Sequence, residues 1–309
     1  MPFLRTSSPS NLAMIGSRDR SVGWYDPPIT SVNQPVRELL EKYSLVPPDE
    51  VIPRIIKTVT PFFFNTPVIF CNLTPNLTIQ RDTIWDVFPW PCVGQFRFLD
   101  LSMSRNPAYA QILDRLKHKQ DRILDVGCCL AQDLRKLAYD GAPASSLFGL
   151  EKQAEFISIG YDFFGDRETL SDATFINADL FDRENEEVCK AVGTFGIVNL
   201  GMVLHIWDLE GQIRACQRVV ELLRGEKGVM VVGQSVGDVV GKEVSSRGSR
   251  VIFKHDVQTF TKMWEEVGRR TRTRWEVEAA LDEGLGIDKK KRYWDEPSTR
   301  RLSFRVERL

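Results

Sequence analysis

Three acids stand at comparable places in the chain, each at the end of a short apolar run. Asp125 and Gly127 close the run Ile123, Leu124 and Val126. Glu151 ends Leu147 to Leu150, and Asp179 follows Thr174 to Asn177. A carboxylate offers two acceptor oxygens, so an acid just past a strand can grip the paired hydroxyls of a ribose or accept from the amino group of a base. Glu151 comes about 26 residues after Asp125, near the ~20-residue offset of a ribose-binding acid in a nucleotide-binding unit. Asp179 is then placed for an adenine amino group. One acid after a strand is usually a solvated loop residue or a helix cap. Three in register form a pattern.

The turn after Asp125 narrows the ligand. Leu130, Leu134, Leu137 and Ala138 share one side of a helix beginning just after Cys129, so strand, tight turn and helix open a βαβ unit. Gly127 lacks a Cβ and lets backbone approach a ligand closely. A dinucleotide site uses G-x-G-x-x-G because a pyrophosphate must sit against the helix N-terminus. Here Gly127 stands alone, followed by Cys128, Cys129, Leu130 and Ala131. A nucleoside without phosphates needs less bare backbone, and S-adenosylmethionine is such a ligand. The bland alternative is a strand–turn–helix with no ligand at all.

The positioning elements alternate as in an α/β protein. Apolar runs at Phe195–Leu200 and Gly228–Gly233 supply a fourth and a fifth strand, and helical periodicity marks Pro107–Lys117, Ile213–Leu223 and Val257–Val267. Trp275–Leu281 and Leu302–Val306 alternate like a terminal antiparallel hairpin. The expected fold is a Rossmann-like doubly wound sheet, mostly parallel with a C-terminal antiparallel strand. Helices at Pro35–Tyr43 and Val51–Val59 form an N-terminal cap over residues 24–57. Residues 1–23 are expected to be a disordered tail and 81–309 the cofactor-binding domain. Gln234–Gly248, rich in Gly, Ser and Val, is expected as a loop that closes over the acceptor.

Residues 58–80 carry no charge and contain Pro61, Pro67 and Pro75. The prolines break any run long enough to span a membrane. This block is expected to be an insertion, and an unspliced intron translated into protein is one origin for it.

The motifs resemble a known family. Asp125-Val-Gly-Cys-Cys with Gln132-Asp133, Gly149-Leu-Glu-Lys152, and Asn177-Ala-Asp-Leu-Phe181 are similar to those of class I S-adenosylmethionine-dependent methyltransferases. The likeness is stronger to the fungal subgroup of meroterpenoid clusters, and it includes Pro91–Leu101, Tyr139–Pro143 and Trp275–Leu281. Leu130-Ala131 stands where that subgroup's pattern has Phe-Gly. The resemblance implies S-adenosylmethionine as cofactor, held by Asp125, Gly127, Glu151, Lys152, Ala178, Asp179 and Leu180. It also implies methyl-ester formation on the carboxyl group of a polyketide–terpenoid intermediate.

A carboxylate acceptor is ionised at pH 7 and needs no general base, only a cation or donors to aim it. Arg97, among Trp90, Phe96 and Phe98, is the candidate cation. A phenol would benefit from a base, and His205, just past the fourth strand, is the candidate; a lone histidine there is also commonly structural. Phenol or hydroxyl methylation, an NAD-dependent oxidoreductase and a non-catalytic relative are the alternatives.

Composition bounds the partners. Across 309 residues, 42% are hydrophobic and 27% charged, with a net charge of −1. Such a chain has no general attraction to nucleic acid or anionic membrane, so a small-molecule acceptor is expected. The six cysteines show no zinc spacing, and no metal is expected. The start of the chain lacks a secretory pattern, and a cytoplasmic protein with reduced thiols is expected. Oligomeric state is left open, a homodimer included.

Overall fold

The computed structural model describes residues 16–56, 80–246, 250–285 and 295–309. The uncharged block falls almost wholly on residues 57–79, and the basic run Lys289–Arg292 on 286–294; both lie outside the described residues. Gln80, its last residue, already opens a helix.

Seven strands form one sheet: β1 (Ile123–Val126), β2 (Leu147–Glu151), β3 (Thr174–Asn177), β4 (Ile197–Gly201), β5 (Met230–Asp238), β8 (Trp275–Asp282) and β9 (Thr299–Arg308). Their order is β3-β2-β1-β4-β5-β9-β8. The first five strands run parallel, and β9 lies antiparallel between β5 and β8. The expected mostly parallel α/β sheet with a C-terminal antiparallel strand is thus observed. Consecutive residues of the central strands point to opposite faces. Ile123, Ile197, Met230 and Val232 meet α5 (Tyr109–His118) and α6 (Gln132–Tyr139), while Leu124, Val198 and Val231 meet the helices Leu209–Leu222 and Val257–Thr271. Burial on both faces explains why these strands are apolar throughout.

The cap has its own core. Asn33 accepts from the Val36 N–H and starts α1 (Gln34–Glu38), which widens into a π-type turn over Leu39–Tyr43. Then come α2 (Val51–Ile56), α3 (Gln80–Val87) and α4 (Pro91–Gly94). Leu40, Val51, Ile55, Ile84, Trp85 and Phe96 are fully buried together, and Val22, inside the stretch expected as tail, joins them. One ionic knot fastens the cap to the sheet domain. Arg135 on α6 holds Asp166 through two hydrogen bonds of 2.8 and 2.9 Å, and Tyr43 donates to the same carboxylate at 2.7 Å. Both charged side chains are almost wholly buried.

One expectation fails. Gln234–Asp238 is not a loop but the second half of β5, paired residue by residue with β9. Lys242–Ser246 is β6, which forms a hairpin with β7 (Arg250–Lys254). Glycines at and just before this stretch serve close packing instead. A Cβ at Gly237 would lie 2.5 Å from the His255 carbonyl oxygen, and one at Gly233 would lie 2.5 Å from that of Leu200. Small residues there let neighbouring backbone come near.

Candidate active site

The carboxyl ends of β1, β2, β3 and β4 open into one cavity of about 540 Å³, and every residue expected to bind or react lines it: Arg97, Asp125, Gly127, Glu151, Lys152, Ala178, Asp179, Leu180 and His205. In an open α/β sheet this crevice is where ligands sit.

Glu151 is held in place by the backbone. One carboxylate oxygen accepts from the Cys129 N–H at 2.9 Å, and the other from the Gln153 N–H at 3.0 Å. Each oxygen keeps acceptor capacity for a further donor. Burial pushes its carboxyl above the usual range, against those backbone donors. Next door, Asn177 donates to the carbonyls of Glu151 and Lys152 at 2.9 and 3.0 Å, fixing the chain between them. Asp179 is partly exposed. Although burial works to raise it, the Phe181 N–H and the Lys152 ammonium, each 2.9 Å away, hold it below the ordinary carboxylate value. The edge-on contact of Phe181 with Trp207 carries this loop toward the turn after β4.

Asp125 differs in kind. Its side chain is buried, and burial pushes the carboxyl up to about 7; the Asn199 amide, donating at 2.7 Å, works against the rise and the charge on Glu151 adds to it. Just beyond, Gly127 adopts φ +68°, and a Cβ there would come 2.7 Å from Val203 Cγ2. Cys129 and Ala131 are also left-handed, each at φ +52°. Such a conformation costs a residue with a Cβ about 1–2 kcal/mol, which is the physical reason for a glycine in the pattern where this chain has Ala131.

The wall opposite the strand ends is made by residues 97–105. Asp133, in the first turn of α6, accepts from Ser102 Oγ at 3.1 Å and the Met103 N–H at 3.0 Å. Arg97, buried, faces Asp100 across 3.6 Å, and Arg105 bonds the same carboxylate. Trp24, Trp90 and Phe98 complete this side. His205 lies on a single turn, Leu204–Ile206, with Nδ1 3.4 Å from Ser235 Oγ. The β6–β7 hairpin closes the far end: the Phe253 N–H donates to the Trp207 carbonyl at 3.0 Å, and Gln212 bonds the carbonyls of both.

Comparison with known proteins identifies the catalyst. No protein-family model matches. The chain is 35% identical to O-methyltransferase atr3 of Stereocaulon alpinum over 311 residues, covering 100% of this chain and 80% of that one. It is 35% identical to O-methyltransferase phiE of a fungal species over 320 residues, 96% of this chain and 98% of that one. Methyltransferase prhM of Penicillium brasilianum is 34% identical over 82% of this chain and 84% of its own. The chain belongs to the fungal class I S-adenosylmethionine-dependent methyltransferases. Among solved structures, the 1,6-didemethyltoxoflavin-N1-methyltransferase of Burkholderia thailandensis aligns with a TM-score of 0.46 at 14% identity, over 74% of this chain and 87% of that one.

This methyltransferase catalyses S-adenosylmethionine-dependent O-methylation, and the oxidoreductase and non-catalytic alternatives give way. The cavity suits the cofactor in three respects: acceptor oxygens on Glu151, bare backbone at Gly127, and Gln132 Oε1, a buried acceptor on the cavity wall with no hydrogen-bond partner. Among the described residues no group of His, Cys, Asp or Glu is placed to hold a metal ion, and no helix is long and apolar enough to cross a membrane.

Several lining residues were given no role from sequence: Gln132, Asn199, Lys254 and Asp295. Asn199 left a signal, a polar residue inside the apolar run of β4. Lys254 left none, since only the hairpin folds it inward.

Proposed function

We propose that this methyltransferase forms a methyl ester on the carboxyl group of a polyketide–terpenoid acceptor. The observation that carries the reading is Arg97, a buried guanidinium on the wall of the cavity into which the strand ends open. Bound, the cofactor supplies a methyl group on a positively charged sulfur. Glu151 would hold its ribose, Asp179, Lys152, Ala178 and Leu180 its adenine, and Gly127, Gln132 and Asp125 its methionine part. Arg97 orients the acceptor carboxylate, which is already ionised and needs no base. Asp100 fixes the guanidinium, and a low-dielectric wall of Trp24, Trp90 and Phe98 strengthens that ion pair by excluding water. A homodimer in the cytoplasm belongs to the same reading.

The first test titrates S-adenosylmethionine into the enzyme and its Glu151→Ala variant, then screens terpenoid carboxylic acids for ester by mass spectrometry. Saturable binding that weakens at least about tenfold in the variant is expected, since two backbone N–H groups also lose their acceptor. Ester must then fall sharply in Arg97→Met while cofactor affinity holds.

The contact of His205 with Ser235 favours a second reading, methylation of a phenol with His205 as base. His205→Asn separates the two. A carboxyl acceptor should lose less than about tenfold in kcat, whereas loss of a general base costs about 10²–10⁴-fold.

A further inference from the structure

The far end of the cavity holds a pair of opposite charges that the methyl-transfer chemistry does not use. Lys254 ends β7, and Asp295 stands just before β9. Both line the cavity beside Val236, Val244 and Ile252. Their side chains are 6% and 16% exposed, so an ammonium and a carboxylate are withdrawn from water on an apolar wall. Withdrawal of both charges is costly, and an apolar wall would serve packing equally well. The Lys254 Nζ to Asp295 Oδ1 distance is 3.9 Å, within electrostatic reach and too long for a hydrogen bond. Thr299 Oγ1 accepts from Nζ at 2.8 Å and fixes where the ammonium points.

The geometry points to a site that reads a hydroxyl group on the acceptor, remote from the carboxyl that is methylated. A hydroxyl donates and accepts at once. An oxygen set between the pair accepts from the Lys254 ammonium and donates to Asp295, at ordinary hydrogen-bond distance from each. A second carboxylate would be repelled by Asp295, an amine by Lys254, and a ketone could accept from Lys254 but has no proton to offer Asp295. The substrate class is therefore a hydroxy acid, and this step rests on the carboxyl reading above.

A purely structural task for the pair is already performed by other groups. Lys242 holds Glu296 at 2.6 Å and Ser298 at 3.4 Å, and Ser298 donates to Asp238 at 2.8 Å. These contacts tie residues 296–298 to the hairpin without Lys254.

Two tricyclic terpenoid acids that differ only in a hydroxyl far from the carboxyl, podocarpic acid and deoxypodocarpic acid, serve as probes. Their affinities are measured by calorimetry on the full chain loaded with S-adenosylhomocysteine, for the wild type, Lys254→Met and Asp295→Asn. The wild type should bind podocarpic acid at least about tenfold tighter, and each variant should lose that preference while deoxypodocarpic acid and S-adenosylhomocysteine bind within about twofold of wild type. Equal wild-type affinities, binding of neither acid, or parallel loss of both acids in the variants overturns the assignment; parallel loss is what a structural role would give. Ester formation is followed separately. Discrimination without ester supports the pair and counts against carboxyl methylation, and failure of S-adenosylhomocysteine to bind the wild type counts against the cofactor site alone.

Discussion

Asp125→Asn should erase the pH dependence of cofactor binding, and should do so between about pH 6 and about pH 8. Burial holds the carboxyl up at about 7 in the unliganded protein, with Asn199 opposing and Glu151 adding to the rise. At the lower end of that window most molecules carry a proton on Asp125. The cofactor has a net positive charge and prefers the ionised form, so binding releases the proton. If the bound carboxyl ionises well below the window, affinity falls about tenfold from pH 8 to pH 6. Folding responds with the opposite sign. An acid raised on folding makes the native state bind more protons than the unfolded one. Its contribution to stability is full below the unfolded value near 3.8 and is lost as pH rises through about 7. One carboxylate thus weakens the unliganded fold and strengthens cofactor binding over the same interval. Calorimetry in two buffers of different ionisation enthalpy counts the released proton, about one per cofactor at the acid end. Glu151 is also raised by burial, and Asp125→Asn separates the contributions of the two carboxyls. A flat wild-type profile, or a slope that survives in Asp125→Asn, refutes the reasoning.

Two further predictions concern the scaffold. Gly127→Ala combines a left-handed backbone with a 2.7 Å contact on Val203 Cγ2, so unfolding in urea should show a loss of about 2–4 kcal/mol. Adding Val203→Ala should restore the steric part and leave the backbone part. Asp166→Asn leaves Arg135 charged and buried without its carboxylate, at an expected cost of about 3–5 kcal/mol. Limited proteolysis of that variant should cut in the cap before the sheet domain.

Much of the strand-end side of the cavity was legible because its signals are local. Asp125 and Glu151 stand near or at the end of a strand and Asp179 just past one; each strand can be recognised from a handful of apolar residues, and topology then brings the strand ends together. The opposite side was not legible in the same way. Gln234–Asp238 reads as a loop because Gly237 and Ser235 are weak strand formers, yet β9, some sixty residues later, imposes nine paired residues on β5. Non-local pairing overrides propensity there. The hairpin that follows turns Lys254 inward, and no periodicity in the sequence announces that. Arg97 was named as facing a carboxylate; its nearest described partner is the protein's own Asp100, a contact made by three residues of chain folding back on themselves.

Asp133 joins these two sides mechanically. It stands in the helix that begins at the cofactor turn, yet its carboxylate holds Ser102 and Met103, next to the segment that carries Arg97. On the proposed reading, ordering of the turn by the methyl donor would pass through Asp133 to the wall that carries Arg97. The expected kinetic pattern is compulsory order, with the methyl donor entering first and its demethylated product leaving last. Product-inhibition kinetics should show S-adenosylhomocysteine competing with the donor alone, and Asp133→Asn should relax the scheme toward random addition.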